Sequence, residues 1–203
     1  YGFVNEELPF PVVHVDHLAP EGSKHNYVTS DNFSGGRMAA RRLLDFGHRD
    51  IVFMIEPENF HEPTIMERLD GFVDELGRSG FSDAEDRVFH SGSNLAAAMA
   101  EIRGRFPGFT GIVFDSDSLA IKIMEFFMKN GVRVPQDVSI VGCGALTKGM
   151  PTIKITSVEQ FPEDMGFFAC NALVDIIEGS RTSRVAEKLP VELFPGDTVM
   201  PPR

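Results

Sequence analysis

The densest chemistry in this chain of 203 residues is the run Phe114-Asp115-Ser116-Asp117-Ser118, two carboxylates one residue apart behind a strand-like stretch. Such a pair can serve phosphoryl transfer, with Asp115 as nucleophile and Asp117 as acid. That chemistry also needs a downstream lysine and an acidic pair holding Mg²⁺ at strand ends, and the following strand end, Val141-Gly142-Cys143-Gly144, supplies no acid. His14, Asp16 and His17 can be drawn as metal ligands, but on a strand His14 and His17 face opposite ways, so the reading is structural and no metal is expected. Gly142-Cys143-Gly144 lacks the third glycine and the helix of a dinucleotide site. No Ser-His-Asp spacing stands out, so neither a cofactor nor an enzymatic activity is expected. Arg68, in Glu67-Arg68-Leu69-Asp70-Gly71-Phe72, is the more promising side chain. It lies near the start of a helix behind the strand 51–55, and ligands of open α/β sheets bind beyond the carboxyl ends of strands. Its guanidinium offers a rigid fork of donors to hydroxyls or a carboxylate. On the residues alone, a surface arginine paired with Glu67 or Asp70 is the plainer reading.

The elements that must position these groups follow from periodicity. Short apolar, β-branched runs at 12–15, 26–29, 51–55, 87–89, 111–114 and 138–141 alternate with amphipathic stretches at 33–46, 64–79, 93–105 and 119–130. A further helix at 163–178 precedes a polar linker and the strand-like run 188–194. Alternation of buried strands with helices predicts an α/β fold, parallel sheets covered by helices on both faces. Gly47 and Gly131 sit where helices end in a left-handed residue, and Asp117 and Ser118 are placed to cap the helix that follows.

Charge excludes one function class. With 19 Lys and Arg against 30 Asp and Glu, net −11, the chain lacks the basic surface that neutralises phosphates, and its densest basic group, Arg37 with Arg41 and Arg42, is one helix face. No window approaches the roughly 20 apolar residues of a membrane span. Nor does the start read as a signal peptide, and the two cysteines, Cys143 and Cys170, read as reduced, buried thiols. A cytoplasmic protein without membrane contact is expected.

Four segments in order carry a family resemblance: SDNFSGGRMAARRLLDFGHRDIVFM from Ser30, ERLDGF from Glu67, FDSDSLAIKIMEFFMKNGVRVPQDVSIVG from Phe114 and, more weakly, PTIKITSVEQF from Pro151. Over nearly its whole length the chain resembles the lactose-repressor/galactose-repressor family of bacterial transcription regulators. The resemblance implies a two-lobed, periplasmic-binding-protein-like (type I) fold with an incomplete N-terminal lobe. Residues 1–48 would be the remnant of that lobe, 49–157 the C-terminal lobe, 158–180 a helix returning to the N-terminal lobe and 181–203 a tail crossing back. It implies a small, sugar-like effector in the cleft between lobes, a homodimer, and contact with operator DNA only through a helix-turn-helix head that the family carries upstream. Among its site positions it assigns Arg68 to the effector. Thr64 matches a polar position of effector sites, His90 aligns loosely with an aromatic that stacks on ligands, and Ser116 and Gln160 match further contacts. Asp115, at the same turn as Ser116, could face the cleft and accept hydroxyl hydrogen bonds. One departure stands out: where relatives carry an aromatic and then a sugar-binding Asp, this chain has Cys143 and Gly144, so no particular sugar is implied. The related periplasmic solute-binding proteins of transporters are the alternative, and the string GVRVPQDVSIVG favours the regulators.

Overall fold

Ile51, Phe53 and Ile55 point to one side of their strand, Val52 and Met54 to the other, and all five are buried. A strand apolar on both faces needs a helical layer on each, and that requirement shapes the larger part of the molecule. In this structure, a computed structural model, residues 9–18, 24–151 and 153–203 are described. Residues 1–8 and 19–23 of the expected first-lobe stretch, and Thr152, lie outside them.

The chain runs β1 (Val13–Val15), β2 (Asn26–Ser30), α1 (Asn32–Asp45), β3 (Ile51–Ile55), α2 (Pro63–Arg78), β4 (Val88–His90), α3 (Leu95–Arg105), β5 (Gly111–Phe114) and α4 (Asp117–Lys129). It continues through β6 (Ser139–Cys143), β7 (Thr156–Glu159), α5 (Pro162–Ile177), β8 (Ala186–Leu189) and β9 (Glu192–Phe194). Six strands form the large sheet in the order β4-β3-β5-β6-β7-β9, and three form the small sheet in the order β1-β2-β8. All pairings are parallel except β7 with β9, which closes the large sheet with an antiparallel edge. Helices α1 and α2 share one core with Ile51, Phe53 and Ile55, and α3 and α4 share the other with Val52, Met54, Ile112 and Phe114. Helix α5 packs Met165, Ala169 and Ala172 on Val28 and Val185 of the small-sheet unit.

Three details depart from the sequence reading. Helix α1, expected in the first lobe, puts Ala39, Ala40, Leu43 and Leu44 into the core of the large sheet, so the chain changes sheets at Asp31 rather than after His48. The run expected as one tail strand divides at Pro190 and Val191 into β8 of the small sheet and β9 of the large one. The cap of α4 is Ser116, whose Oγ accepts from Leu119 N at 3.2 Å, not Asp117 or Ser118.

The chain therefore crosses between sheets three times, at Asp31, at Gln160–Phe161 and at Pro190–Val191, and the crossings are tied together. Asp31 N donates to Leu189 O at 2.7 Å, and Gln160 Nε2 donates to Ser30 Oγ at 3.3 Å. Phe161 holds a left-handed backbone, φ 52°, costly for a bulky residue and sustained by its surroundings at the crossing.

Candidate functional site

A sheet whose strand order reverses opens a crevice beyond its carboxyl edge. In the large sheet β3 is followed by β4 on one side and β5 on the other, so the reversal lies between β3 and β5. Arg68 reaches this place from α2. It is 8% exposed; its Nε donates to Asn32 Oδ1 at 2.7 Å and its Nη1 to the main-chain carbonyl of Asp115 at 2.6 Å. The described residues give Nη2 no partner, so one arm of the fork is open to a ligand.

Around Arg68 the residues sort by what holds them. Asn32 is buried at the first crossing; its Oδ1 also accepts from Gln160 Nε2 at 3.4 Å, while its Nδ2 donates to Ser30 O at 3.0 Å. Gln160 thus stands between the sheets, joined to Arg68 through a shared acceptor. Thr64 is buried in the first turn of α2, one turn before Arg68. His90 ends β4 exposed, its ring edge-on to Phe60 at 5.0 Å, and Phe60 in turn meets His61 at 5.6 Å. These rings form an exposed aromatic corner beyond β3 and β4, suited to the apolar face of a ring-shaped ligand.

Asp115 differs from expectation. It is fully buried; its Oδ2 accepts from Glu56 N at 2.9 Å and Asn59 Nδ2 at 3.0 Å, and its Oδ1 accepts from Ser116 Oγ at 3.1 Å. The carboxylate organises the loop after β3 instead of offering free acceptors to the cleft. Ser116, by the same bonds, is the cap of α4 and a brace for Asp115. Asp117 is buried too, accepting from Ser157 Oγ and Leu146 N, each at 2.7 Å. Burial pushes its carboxyl above the usual range, against hydrogen bonds from Ser157, Leu146 and Cys143. With both carboxylates enclosed and engaged, a phosphoryl-transfer nucleophile is excluded on geometry.

Two groups beyond β1, Asp16 and His17, were not singled out as binders. Asp16, in a left-handed conformation (φ 58°) at the end of β1, sits close enough to Cys143 at the end of β6 for its charge to disfavour the thiolate. Burial pushes the Cys143 thiol up to about 11, Arg68 opposes this, and Asp117, Asp16 and Asp115 add to it. The charges of Asp16, from the small sheet, and of Arg68, from the large one, therefore act on Cys143 with opposite sign. His17 reaches Glu62 at the start of α2, Nδ1 to Oε2 3.7 Å. The motif His14-Val15-Asp16-His17 is the signal that pointed here, but strand alternation argued only against a metal.

A family model described as "Periplasmic binding protein-like domain" matches residues 40–199. The chain is 33% identical over 176 residues to the HTH-type transcriptional regulator CelR of Thermobifida fusca, covering 83% of this chain and 50% of that protein. It is 26% identical over 189 residues to the ribose operon repressor of Bacillus subtilis, covering 91% and 56%. The chain spans about half the length of the curated relatives it matches. Among solved structures it is similar to a complex of the transcriptional regulator CelR with cellobiose, TM-score 0.79 at 30% identity, covering 92% of this chain and 58% of that one. A ribose-bound LacI family regulator from Enterococcus faecium shares the fold, TM-score 0.78 at 23% identity, covering 95% and 71%.

Proposed function

The chain belongs to the periplasmic binding protein-like family, in its branch of lactose- and galactose-repressor-type regulators, and from that premise we propose that it is the effector-sensing part of a bacterial transcription regulator. A small, sugar-like molecule binds between the sheets, against Arg68, Asp16, Thr64 and the corner of Phe60 and His90. The observation that carries this reading is the hydrogen-bond relay from the buried Arg68 through Asn32 to the half-buried Gln160 and on to Ser30. It joins the guanidinium that keeps one arm open to two of the three crossings, so a ligand on Arg68 acts on the hinge itself. A ligand shifts lobe geometry by the difference in its affinity for the two states. Operator DNA is contacted by a helix-turn-helix head, and the full protein works as a homodimer in the cytoplasm. Pairing is supported by the exposed apolar side chains Met128 and Ile153, which line a groove of about 460 Å³.

The test is a thermal-shift screen of neutral mono- and disaccharides, cellobiose and ribose included, followed by operator binding of the full-length protein with and without the hit. One sugar raising the melting temperature saturably and changing operator affinity is the expected result. A sugar that binds and leaves operator affinity unchanged would remove the regulatory reading. Sedimentation as a monomer at micromolar concentration would remove the dimer.

A further inference from the structure

Helix α2, packed on the large sheet, carries side-chain contacts to the small-sheet unit. Lys188 of β8 donates from Nζ to Glu67 Oε1 at 2.5 Å, and His17 beyond β1 meets Glu62 at 3.7 Å. Strands β1 and β8 are the two edges of the small sheet. The two contacts therefore reach α2 from opposite edges, and Arg68, next to Glu67, is tied to the first crossing. Glu67 is the neighbour of Arg68, and its second carboxylate oxygen, Oε2, is buried without a partner among the described residues.

We infer that Glu67 and Lys188 form an ionic latch between the lobes that sets how far the cleft is closed before any effector arrives. An exposed pair such as this, with side chains 22% and 38% exposed, gains little net attraction in water. A tie of that size does not lock the lobes; it biases them toward the closed arrangement by an amount that a ligand of modest affinity difference can outweigh. Because the pair is ionic and partly exposed, salt loosens it. What the latch regulates rests on the reading of the cleft as the effector site; the latch itself does not.

The experiment uses no effector and no DNA. Cys170 is exposed on α5 of the small-sheet unit, Cys143 is buried with its thiol raised to about 11 and resists labelling, and Ala100 is exposed on α3 of the large sheet. Spin labels at Cys170 and at an A100C substitution report the distance between lobes by pulsed electron resonance. Glu67→Lys and Lys188→Glu should each shift the ratio of short to long distances toward long by about two- to fivefold. The double exchange should restore it, and high salt should abolish the difference. Unchanged distances in folded single variants, or a double exchange that fails to restore them, would overturn the latch. A latch that fails leaves the sugar screen untouched, and a failed screen leaves these distances readable.

Discussion

Arg68 gives part of its fork to the protein and keeps one arm back, and that division governs what its replacement will do. Truncation to alanine leaves Asn32 Oδ1 and the Asp115 carbonyl short of donors inside the molecule, at a cost of about 1–3 kcal/mol. Lost binding in Arg68→Ala would then be confounded with lost stability. Arg68→Lys separates the two, since it keeps the charge and one donor but not the planar fork. Calorimetric titration should show affinity for the effector reduced at least about tenfold, roughly 1.4 kcal/mol, with the folded state retained in a thermal melt. Full affinity in that variant would mean that the open arm does not touch the ligand. The residue type and its place after β3 were legible in the sequence; its burial was not, because Asn32 lies 36 positions away. Asp115 shows the converse. A carboxylate at a strand end reads as a free acceptor, and only the fold brings Glu56 N and Asn59 onto it.

Helices α1 and α2 touch so closely that two glycines make the contact possible. A methyl group on Gly36 would overlap the carbonyl of Arg68, and one on Gly71 would overlap the carbonyl of Phe33. On helix propensity alone, Gly→Ala would add about 1 kcal/mol of stability. Here the clash is with backbone, which cannot swing aside. Gly36→Ala and Gly71→Ala should each destabilise by about 2 kcal/mol or more in urea unfolding, and Gly36→Ala should also displace Arg68 from Asn32. A stabilised Gly36→Ala protein would show that the helices can separate at little cost. The same contact, sealed by Arg37 and Arg41 on the buried Glu75, explains why α1 sits on the large sheet. Periodicity located all five helices within one or two residues, since each buries an apolar stripe. It could not say which sheet a helix would cover, because Ala39, Ala40, Leu43 and Leu44 suit either. Strand β7 went unseen for a related reason. Thr156, Ser157, Val158 and Glu159 are mostly polar, and three are buried by the hydroxyl bonds and packing that the fold supplies.

At the scale of the whole molecule, two charge properties set measurable limits. With a net charge of −11, the 203-residue chain should bind DNA no better than an acidic control protein, and a salt-sensitive gel shift by this chain alone would contradict that. The second limit concerns pH and the seam that fastens the end of the chain to the large sheet. His48, buried between α1 and β3, donates from Nε2 to Met200 O at 2.9 Å, and its Nδ1 meets the Thr110 hydroxyl at 2.8 Å. Burial holds its pKa below the ordinary value, against the Met200 bond, which favours the charged ring. The unfolded imidazole takes up a proton near pH 6.5, the folded one only at lower pH. Between those points the unfolded state binds more protons, so the contribution of His48 is complete above roughly pH 6.5 and is lost as pH falls toward the folded value. His48→Gln, which keeps one donor and one acceptor, removes this titration. Asp117, whose raised pKa acts with the opposite sign, is present in both proteins and cancels in their difference. Thermal melts from pH 8 to pH 5 should therefore show the wild type losing its lead over His48→Gln as the medium turns acidic. A constant gap across that range would mean that His48 titrates alike in the folded and unfolded states.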